Sequence, residues 1–105
     1  MGHGKSRRIE SRVPGSDVNP YIALAATIAA GLYGIDHGLE LSAPFEGNAY
    51  VAPNVSRLPF TLSDAIDCFA DSEVALEAFG DDVHHHLLNT ARQEWLKANL
   101  HVTDW

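Results

Sequence analysis

Three charged residues stand at alternate positions near the start of the chain: Arg8, Glu10 and Arg12. Side chains two residues apart point to the same face of a strand, so a strand would present a cation, a carboxylate and a second cation in a row. Each guanidinium can fork onto a carboxylate or phosphate, and the carboxylate between them can bind a hard divalent metal such as Mg²⁺. The same spacing also suits a solvated strand face with an Arg–Glu–Arg ion-pair ladder, and the spacing alone favours that interpretation.

The elements that must position these residues are predicted from turn and cap signals. Pro14-Gly15 ends a strand over residues 8–13, and Asn19 caps a helix whose first position is Pro20. This helix runs to about Gly34, which supplies its stop, and it is apolar nearly all round, so we expect it to be buried. A lone strand needs a neighbour for its backbone groups, which indicates that a sheet precedes this segment.

The rest of the chain is predicted to be a loop followed by helices. Residues 41–59 carry prolines and no helix or strand period. Thr61 is the predicted N-cap of the next helix, and Asp71-Ser72 interrupts that helix and recaps a short one that Gly80 ends. Asp81-Asp82 then opens the last helix with two carboxylates at its positive end.

The composition limits the classes of partner and compartment. The net charge is −7, which argues against a nucleic-acid or anionic-membrane surface, although four of the seven basic residues lie within the first twelve positions. The single cysteine, Cys68, excludes an intrachain disulfide, and its helical surroundings fit a small core residue. The start of the chain is polar and shows no signal peptide, so a cytoplasmic location is expected.

A run of three histidines, His84-His85-His86, could suggest a metal site. Consecutive helix residues point about 100° apart, so three in a row cannot converge on one ion. A solvated or half-buried helix face is therefore the favoured interpretation. A metal-binding module built on this run would require Zn²⁺ binding that is lost when His85 is replaced by alanine.

A longer set of residues resembles the C-terminal part of the glutamine synthetase family. The residues are Arg8-Ile9-Glu10-Ser11-Arg12, then Asn19-Pro20-Tyr21-Ile22-Ala23, then Ala29-Ala30-Gly31-Leu32-Tyr33-Gly34-Ile35. The family pattern reads R-[IV]-E-x-R, N-P-Y-L and A-G-L-x-G-I. The sequences of residues 31–35 and of Gly47-Asn48-Ala49-Tyr50 most resemble the γ-glutamylpolyamine synthetase branch. The resemblance implies that residues 1–105 are an incomplete, C-terminal part of a catalytic domain. Its fold would be α+β, with one N-terminal strand of a larger sheet and then mostly helices.

The resemblance also implies a role for each residue of the charged row. Glu10 would be a ligand of an active-site divalent metal, Mg²⁺ or Mn²⁺. Arg8 would lie against the phosphates of ATP and stabilise the transferring phosphoryl group. Arg12 would hold the carboxylate of the substrate glutamate. The sequence Val13-Pro14-Gly15 departs from the F-P-D of many glutamine synthetases, which bears on the amine used and not on the metal site.

The implied activity is that of an ATP-dependent ligase in nitrogen metabolism. It would join the side-chain carboxylate of glutamate to ammonia or to an amine, such as a polyamine, through a γ-glutamyl phosphate. The family resemblance implies homo-oligomeric rings with active sites between neighbouring subunits. The other metal ligands and the nucleotide pocket are expected upstream, so this chain alone is predicted to be inactive. The alternative is a non-catalytic structural relative that keeps the fold.

Overall fold

The computed structural model describes residues 4–52 and 55–101, and within these ranges the chain is helical. Its three α-helices are α1 (Pro20–Asp36), α2 (Leu62–Ala70) and α3 (Glu73–Leu100). Short 3₁₀ turns lie at Gly4–Ser6 and Ala49–Val51. The long helix α3 contacts both α1 and α2, so it is the element on which the other two pack. In the described ranges, no helix is both long and apolar enough to cross a membrane.

The predicted helix starts are confirmed by their caps. The side chain of Asn19 accepts hydrogen bonds from the backbone N–H groups of Tyr21 and Ile22, at 3.0 and 3.4 Å, directly before Pro20. The hydroxyl oxygens of Thr61 and Ser72 accept in the same way, each from an N–H three residues on, at 3.1 Å. Each cap accepts hydrogen bonds from backbone N–H groups that have no partner within the first helical turn. The helix starts can therefore be recognised from a few neighbouring residues of the sequence.

The end of α1 differs from the prediction, because Gly38 rather than Gly34 stops the helix. Gly38 has φ +58°, the left-handed conformation that favours glycine. The N–H of Leu39 donates to the carbonyl of Gly34 at 2.9 Å, and that of Gly38 donates to Ile35 at 3.1 Å. This pair of bonds is the Schellman arrangement, so Gly34 stays within the helix as the acceptor of its closing bond.

Replacing Gly38 and Gly31 by alanine should change stability in opposite directions. Gly38→Ala should cost about 1 kcal/mol, because alanine is strained at its positive φ. Gly31 lies within α1, and an added Cβ there meets open space, so Gly31→Ala should gain about 0.5–1 kcal/mol. Urea denaturation followed by circular dichroism checks both, and the same sign for the two variants would contradict this assignment of the helix end.

Gly80 interrupts α3, as the sequence predicts. Its φ of 71° and ψ of 166° are non-helical, and the helix is kinked there. Ser72 caps the part before the kink, and Asp81-Asp82 begins the part after it. The buried residues of α3, His84 and Leu88, both lie in the part after the kink.

The core of the described residues is small. Only Ile66 of α2 and Leu88 of α3 are buried apolar side chains in these ranges. The accessible surface is 9696 Å², whereas a compact chain of 11.4 kDa exposes roughly 5,800 Å². The radius of gyration is 16.7 Å, against about 13 Å for a compact chain of 105 residues. Much apolar surface is therefore left uncovered.

Several predictions about elements and burial are corrected by this structure. Residues 8–13 have no regular secondary structure, because no other segment of the described chain offers a strand to pair with. Helix α1, which was expected to be buried, has no buried residue, and its Tyr21 is exposed. Cys68 is exposed rather than in the core, since α2 buries only the face that carries Ile66. The predicted loop over 41–59 is irregular apart from the turn at Ala49–Val51, and its residues 53–54 lie outside the described part.

Candidate active-site segment

The charged row lies in an exposed, irregular segment that leads into α1. Arg8, Glu10 and Arg12 are all exposed, and the segment is held at its C-terminal end by the turn before Asn19. In that turn the N–H of Val18 donates to the carbonyl of Gly15 at 3.4 Å. The cap at Asn19 fixes the start of α1, so the row is tethered to a defined helix and has no regular secondary structure of its own.

Two members of the row contact each other. The Nε of Arg12 donates to Oε1 of Glu10 at 2.7 Å, and the two side chains remain 87% and 63% exposed. An ion pair this exposed contributes about 0–1 kcal/mol, so a ligand can displace it at little cost. The Nη nitrogens of Arg12 have no partner among the described residues, and a guanidinium fork of this kind can bind a carboxylate.

Arg8 is separate from this pair. Its Nη1 donates to the backbone carbonyl of Ser6 at 3.5 Å, a long bond that leaves the guanidinium exposed. The structure therefore brings Glu10 and Arg12 together and leaves Arg8 beside them with its charge available. A phosphate group is the kind of anion that a free guanidinium would attract.

The donors needed for a divalent metal are only partly present. Glu10 supplies the hard oxygens that Mg²⁺ and Mn²⁺ prefer, so its chemistry fits. Within the described ranges, however, no group of three His, Cys, Asp or Glu side chains could hold an ion. Mg²⁺ requires six oxygen ligands, so Glu10 can act as one ligand of a site whose other donors lie elsewhere.

The first member of the histidine run has a structural role that the sequence did not reveal. His84 is 4% exposed, and its ring stacks on Phe69 with centroids 4.6 Å apart. Its Nε2 lies 2.9 Å from the carbonyl oxygen of Phe69, which can only accept, so Nε2 carries the proton. His84 thus ties α3 to the end of α2, and its buried Nδ1 has no partner among the described residues.

Removing the His84 ring should destabilise the α2–α3 contact. His84→Ala is expected to cost about 2–3 kcal/mol, since it removes a buried ring and leaves the Phe69 carbonyl without this donor. His86→Ala, at an exposed position of the same helix, is the matched control and should stay within about 0.5 kcal/mol of the parent. Chemical denaturation checks this, and equal losses for His84 and His86 would contradict it.

A second histidine lies between α1 and α3. His37 stacks on Tyr33 with ring centroids 3.8 Å apart, and its Nδ1 is 3.0 Å from the Tyr33 carbonyl oxygen. Its Nε2 is 3.8 Å from Oε2 of Glu77 in α3. Both side chains are substantially exposed, so this pair orients the end of α1 more than it stabilises the fold.

Comparison with known proteins places these residues in a family. The catalytic domain of glutamine synthetase matches residues 1–105, the whole of the chain. The chain belongs to the glutamine synthetase family. The comparison with solved structures gave no match. The predicted resemblance is thereby confirmed, whereas the roles of Arg8, Glu10 and Arg12 remain predictions.

The relatives in this family include ligases for different amines. A γ-glutamylethanolamide synthetase of Streptomyces coelicolor is 49% identical over 100% of this chain, which covers 22% of that protein. A type-1 glutamine synthetase of Dictyostelium discoideum is 42% identical over 97% of this chain, and the match covers 20% of the Dictyostelium protein. A glutamate–isopropylamine ligase of a Pseudomonas species is 38% identical over 97% of this chain, and the match covers 23% of the Pseudomonas protein. The amine ligases are consistent with the predicted likeness to the polyamine branch. The chain spans about a fifth of the length of each of these relatives.

Proposed function

We propose that this chain is part of an ATP-dependent ligase that joins the side-chain carboxylate of glutamate to ammonia or an amine. The observation that carries the proposal is the match of the glutamine synthetase catalytic domain to all of residues 1–105. One relative is named for a γ-glutamylethanolamide product and another for isopropylamine as the amine that it joins to glutamate, and both names support an amine as well as ammonia as the nucleophile.

The proposed reaction has two steps. An oxygen of the glutamate side-chain carboxylate attacks the γ-phosphorus of ATP, which releases ADP and forms γ-glutamyl phosphate. The amine nitrogen then attacks the acyl carbon, the bond to the phosphate oxygen breaks, and a proton leaves the nitrogen. The products are a γ-glutamyl amide and inorganic phosphate. Negative charge spreads over the phosphoryl oxygens in the first step, so cations positioned there should lower its barrier most.

Each residue of the charged row has a proposed part in these steps. The exposed guanidinium of Arg8, whose one described contact is the long bond to the Ser6 carbonyl, neutralises charge on the transferring phosphoryl group. The Nη fork of Arg12 binds the glutamate carboxylate while its Nε stays near Glu10. Glu10 is one ligand of a divalent metal, and the bound metal would supply charge neutralisation at the phosphates. The remaining ligands would come from outside the described residues, because these contain no group of three His, Cys, Asp or Glu side chains that could hold an ion.

A chimera tests the proposal. In it, residues 1–105 replace the matching segment of the 49%-identical Streptomyces coelicolor relative. ADP release is measured with ATP, Mg²⁺ and glutamate, against ammonia, ethanolamine, isopropylamine and putrescine. Amine-dependent ADP release by the chimera is expected, with none from residues 1–105 alone. A folded chimera that releases no ADP with any of the four would contradict the proposal.

A second candidate is a structural relative without chemistry. It is favoured by two observations: the described part of the chain holds no group of three metal-binding side chains, and the charged row is exposed. In that case an active chimera would tolerate loss of the Glu10 carboxylate. The effect of Glu10→Gln therefore separates the two candidates.

A further inference from the structure

One carboxylate near the charged row has no part in the chemistry proposed above. Glu10 and Asp17 are the acidic residues between Gly4 and Asn19. Glu10 pairs with Arg12 and is the proposed metal ligand. Asp17 is exposed, and its carboxylate forms no hydrogen bond or ion pair with any described residue. It is therefore a second anion close to the row in sequence, and it is available to a ligand.

The structural tasks of this turn are carried out by other residues. The N–H of Val18 donates to the carbonyl of Gly15 at 3.4 Å and closes the turn. The side chain of Asn19 accepts from the first turn of α1, so Asn19 and not Asp17 caps the helix. An aspartate in a turn commonly bonds to a backbone N–H two residues on, but Asp17 forms no such bond in the described chain. The turn and the helix start are thus explained without this carboxylate.

The position of the Asp17 carboxylate depends on the glycine two residues before it. A Cβ atom at position 15 would lie 2.9 Å from Oδ1 of Asp17. Atoms that are not bonded to each other do not pack this closely, so any side chain at position 15 would displace the carboxylate. Gly15 does not have a positive φ, so the backbone does not require glycine here. Glycine at this position leaves open the space that the carboxylate occupies.

A carboxylate in this place suits an amine that carries a second nitrogen. The nitrogen that attacks γ-glutamyl phosphate must be unprotonated, but the distal nitrogen of a diamine is protonated at neutral pH, as a lysine side chain is. A hydrogen bond between an ammonium and a carboxylate is stronger than one between neutral groups. Asp17 is five residues from Arg12, the proposed glutamate-binding residue, so the chain holds their Cα atoms within about 18 Å of each other. The free carboxylate therefore belongs to the same short segment as the proposed glutamate site.

We propose that Asp17 is a specificity-determining residue that binds the distal ammonium of a diamine substrate, in the position that Gly15 leaves open for its carboxylate. The inference rests on the proposed function and extends it by naming the class of amine, one with a cationic group remote from the attacking nitrogen. Ammonia and simple monoamines lack this group and gain nothing from Asp17. Because Asp17 takes no part in forming or breaking bonds, its loss should change the KM for a diamine and not kcat.

The preference of the chimera for putrescine over butylamine tests this proposal. Butylamine has the same carbon chain but lacks the second nitrogen. The parent should have a kcat/KM for putrescine at least about 10-fold above that for butylamine, the effect of one hydrogen bond between charged groups. Asp17→Asn should abolish this preference by raising the KM for putrescine, while the KM values for butylamine and glutamate stay within about twofold. Asp36→Asn, at an exposed position at the end of α1, is the matched control and should keep the preference.

A double-mutant cycle tests the dependence on Gly15. Gly15→Ala should lower the preference for putrescine in the parent, because the added Cβ displaces the carboxylate. The same substitution should have no effect in an Asp17→Ala background, where there is no carboxylate to displace. Thermal unfolding should be the same with and without Gly15→Ala, since the end of an exposed side chain can move at little cost. Equal effects of Gly15→Ala in the two backgrounds would overturn the proposal.

The outcomes separate this inference from the proposed function. An active chimera in which Asp17→Asn lowers kcat/KM equally for putrescine and butylamine would overturn the inference and leave the ligase function intact. A chimera that releases no ADP would contradict the ligase function, and calorimetric titration with putrescine then tests Asp17 without turnover. Binding about 10-fold weaker in Asp17→Asn would support the inference. Equal binding by the two proteins, or no binding by the parent, would overturn it.

Discussion

Replacing Glu10 with glutamine in the chimera is expected to lower amine-dependent ADP release about 100-fold or more. The proposed role of Glu10 is to bind a divalent metal, and glutamine lacks the negative charge that holds such an ion. Loss of several kcal/mol of charge stabilisation at the transferring phosphoryl group corresponds to at least this factor. Steady-state ADP release over a series of Mg²⁺ concentrations measures the effect, and saturation should require more Mg²⁺ in the variant.

The structural consequences of this substitution are small, which makes the kinetic result informative. Glu10 is exposed, and its bond to Arg12 is an exposed ion pair that contributes about 0–1 kcal/mol. Glu46→Gln, at an exposed position of the loop, is the matched control and should leave the rate within about twofold. A Glu10→Gln chimera that keeps more than a third of the parent rate would favour the non-catalytic interpretation of this segment.

Replacing Arg12 with lysine should raise the KM for glutamate about 10- to 100-fold. Lysine keeps the charge but loses the planar fork that binds a carboxylate through two parallel hydrogen bonds. A hydrogen bond to a charged group contributes about 1.5–3 kcal/mol, which sets the size of the effect. The KM for ATP should change by less than about threefold, because Arg12 is proposed to contact glutamate and not the nucleotide.

The control for Arg12 is another exposed arginine. Arg57→Lys, in the loop before α2, should leave both KM values unchanged. Initial rates of the chimera at varied glutamate and varied ATP provide the measurement. If Arg12→Lys raised both KM values equally, a general effect on the assembly of the segment would explain the result better than a substrate contact.

The sequence was most informative where structure depends on nearby residues. Asn19, Thr61 and Ser72 cap their helices as predicted, because each side chain bonds an N–H within three residues of itself. The break at Gly80 was also predictable from the local sequence, because glycine readily adopts the non-helical, positive-φ conformation seen there. The end of α1 was misplaced because Gly34 and Gly38 are both credible stops, and the tertiary position of the chain beyond the helix selects between them.

Burial and strand formation could not be predicted as well, because they depend on partners. Tyr21 and Cys68 have residue types that fit a core, yet both are exposed where no element covers them. Residues 8–13 have the pattern of a strand but no described segment to pair with. His84 is buried for the converse reason, since the orientation of α3 after Gly80 places it against Phe69. The spacing of Arg8, Glu10 and Arg12 indicated the candidate site, and the structure pairs Glu10 with Arg12 while Arg8 contacts the carbonyl of Ser6.

The most direct test of the proposed chemistry follows oxygen atoms through the reaction. Glutamate labelled with ¹⁸O in its side-chain carboxylate is supplied to the chimera with ATP, Mg²⁺ and ethanolamine, and the released phosphate is analysed by mass spectrometry. If γ-glutamyl phosphate forms, each phosphate carries one ¹⁸O from glutamate, because the carboxylate oxygen that attacks phosphorus leaves with it. Unlabelled phosphate released during turnover would contradict an acyl phosphate intermediate and, with it, the ligase function proposed for this chain.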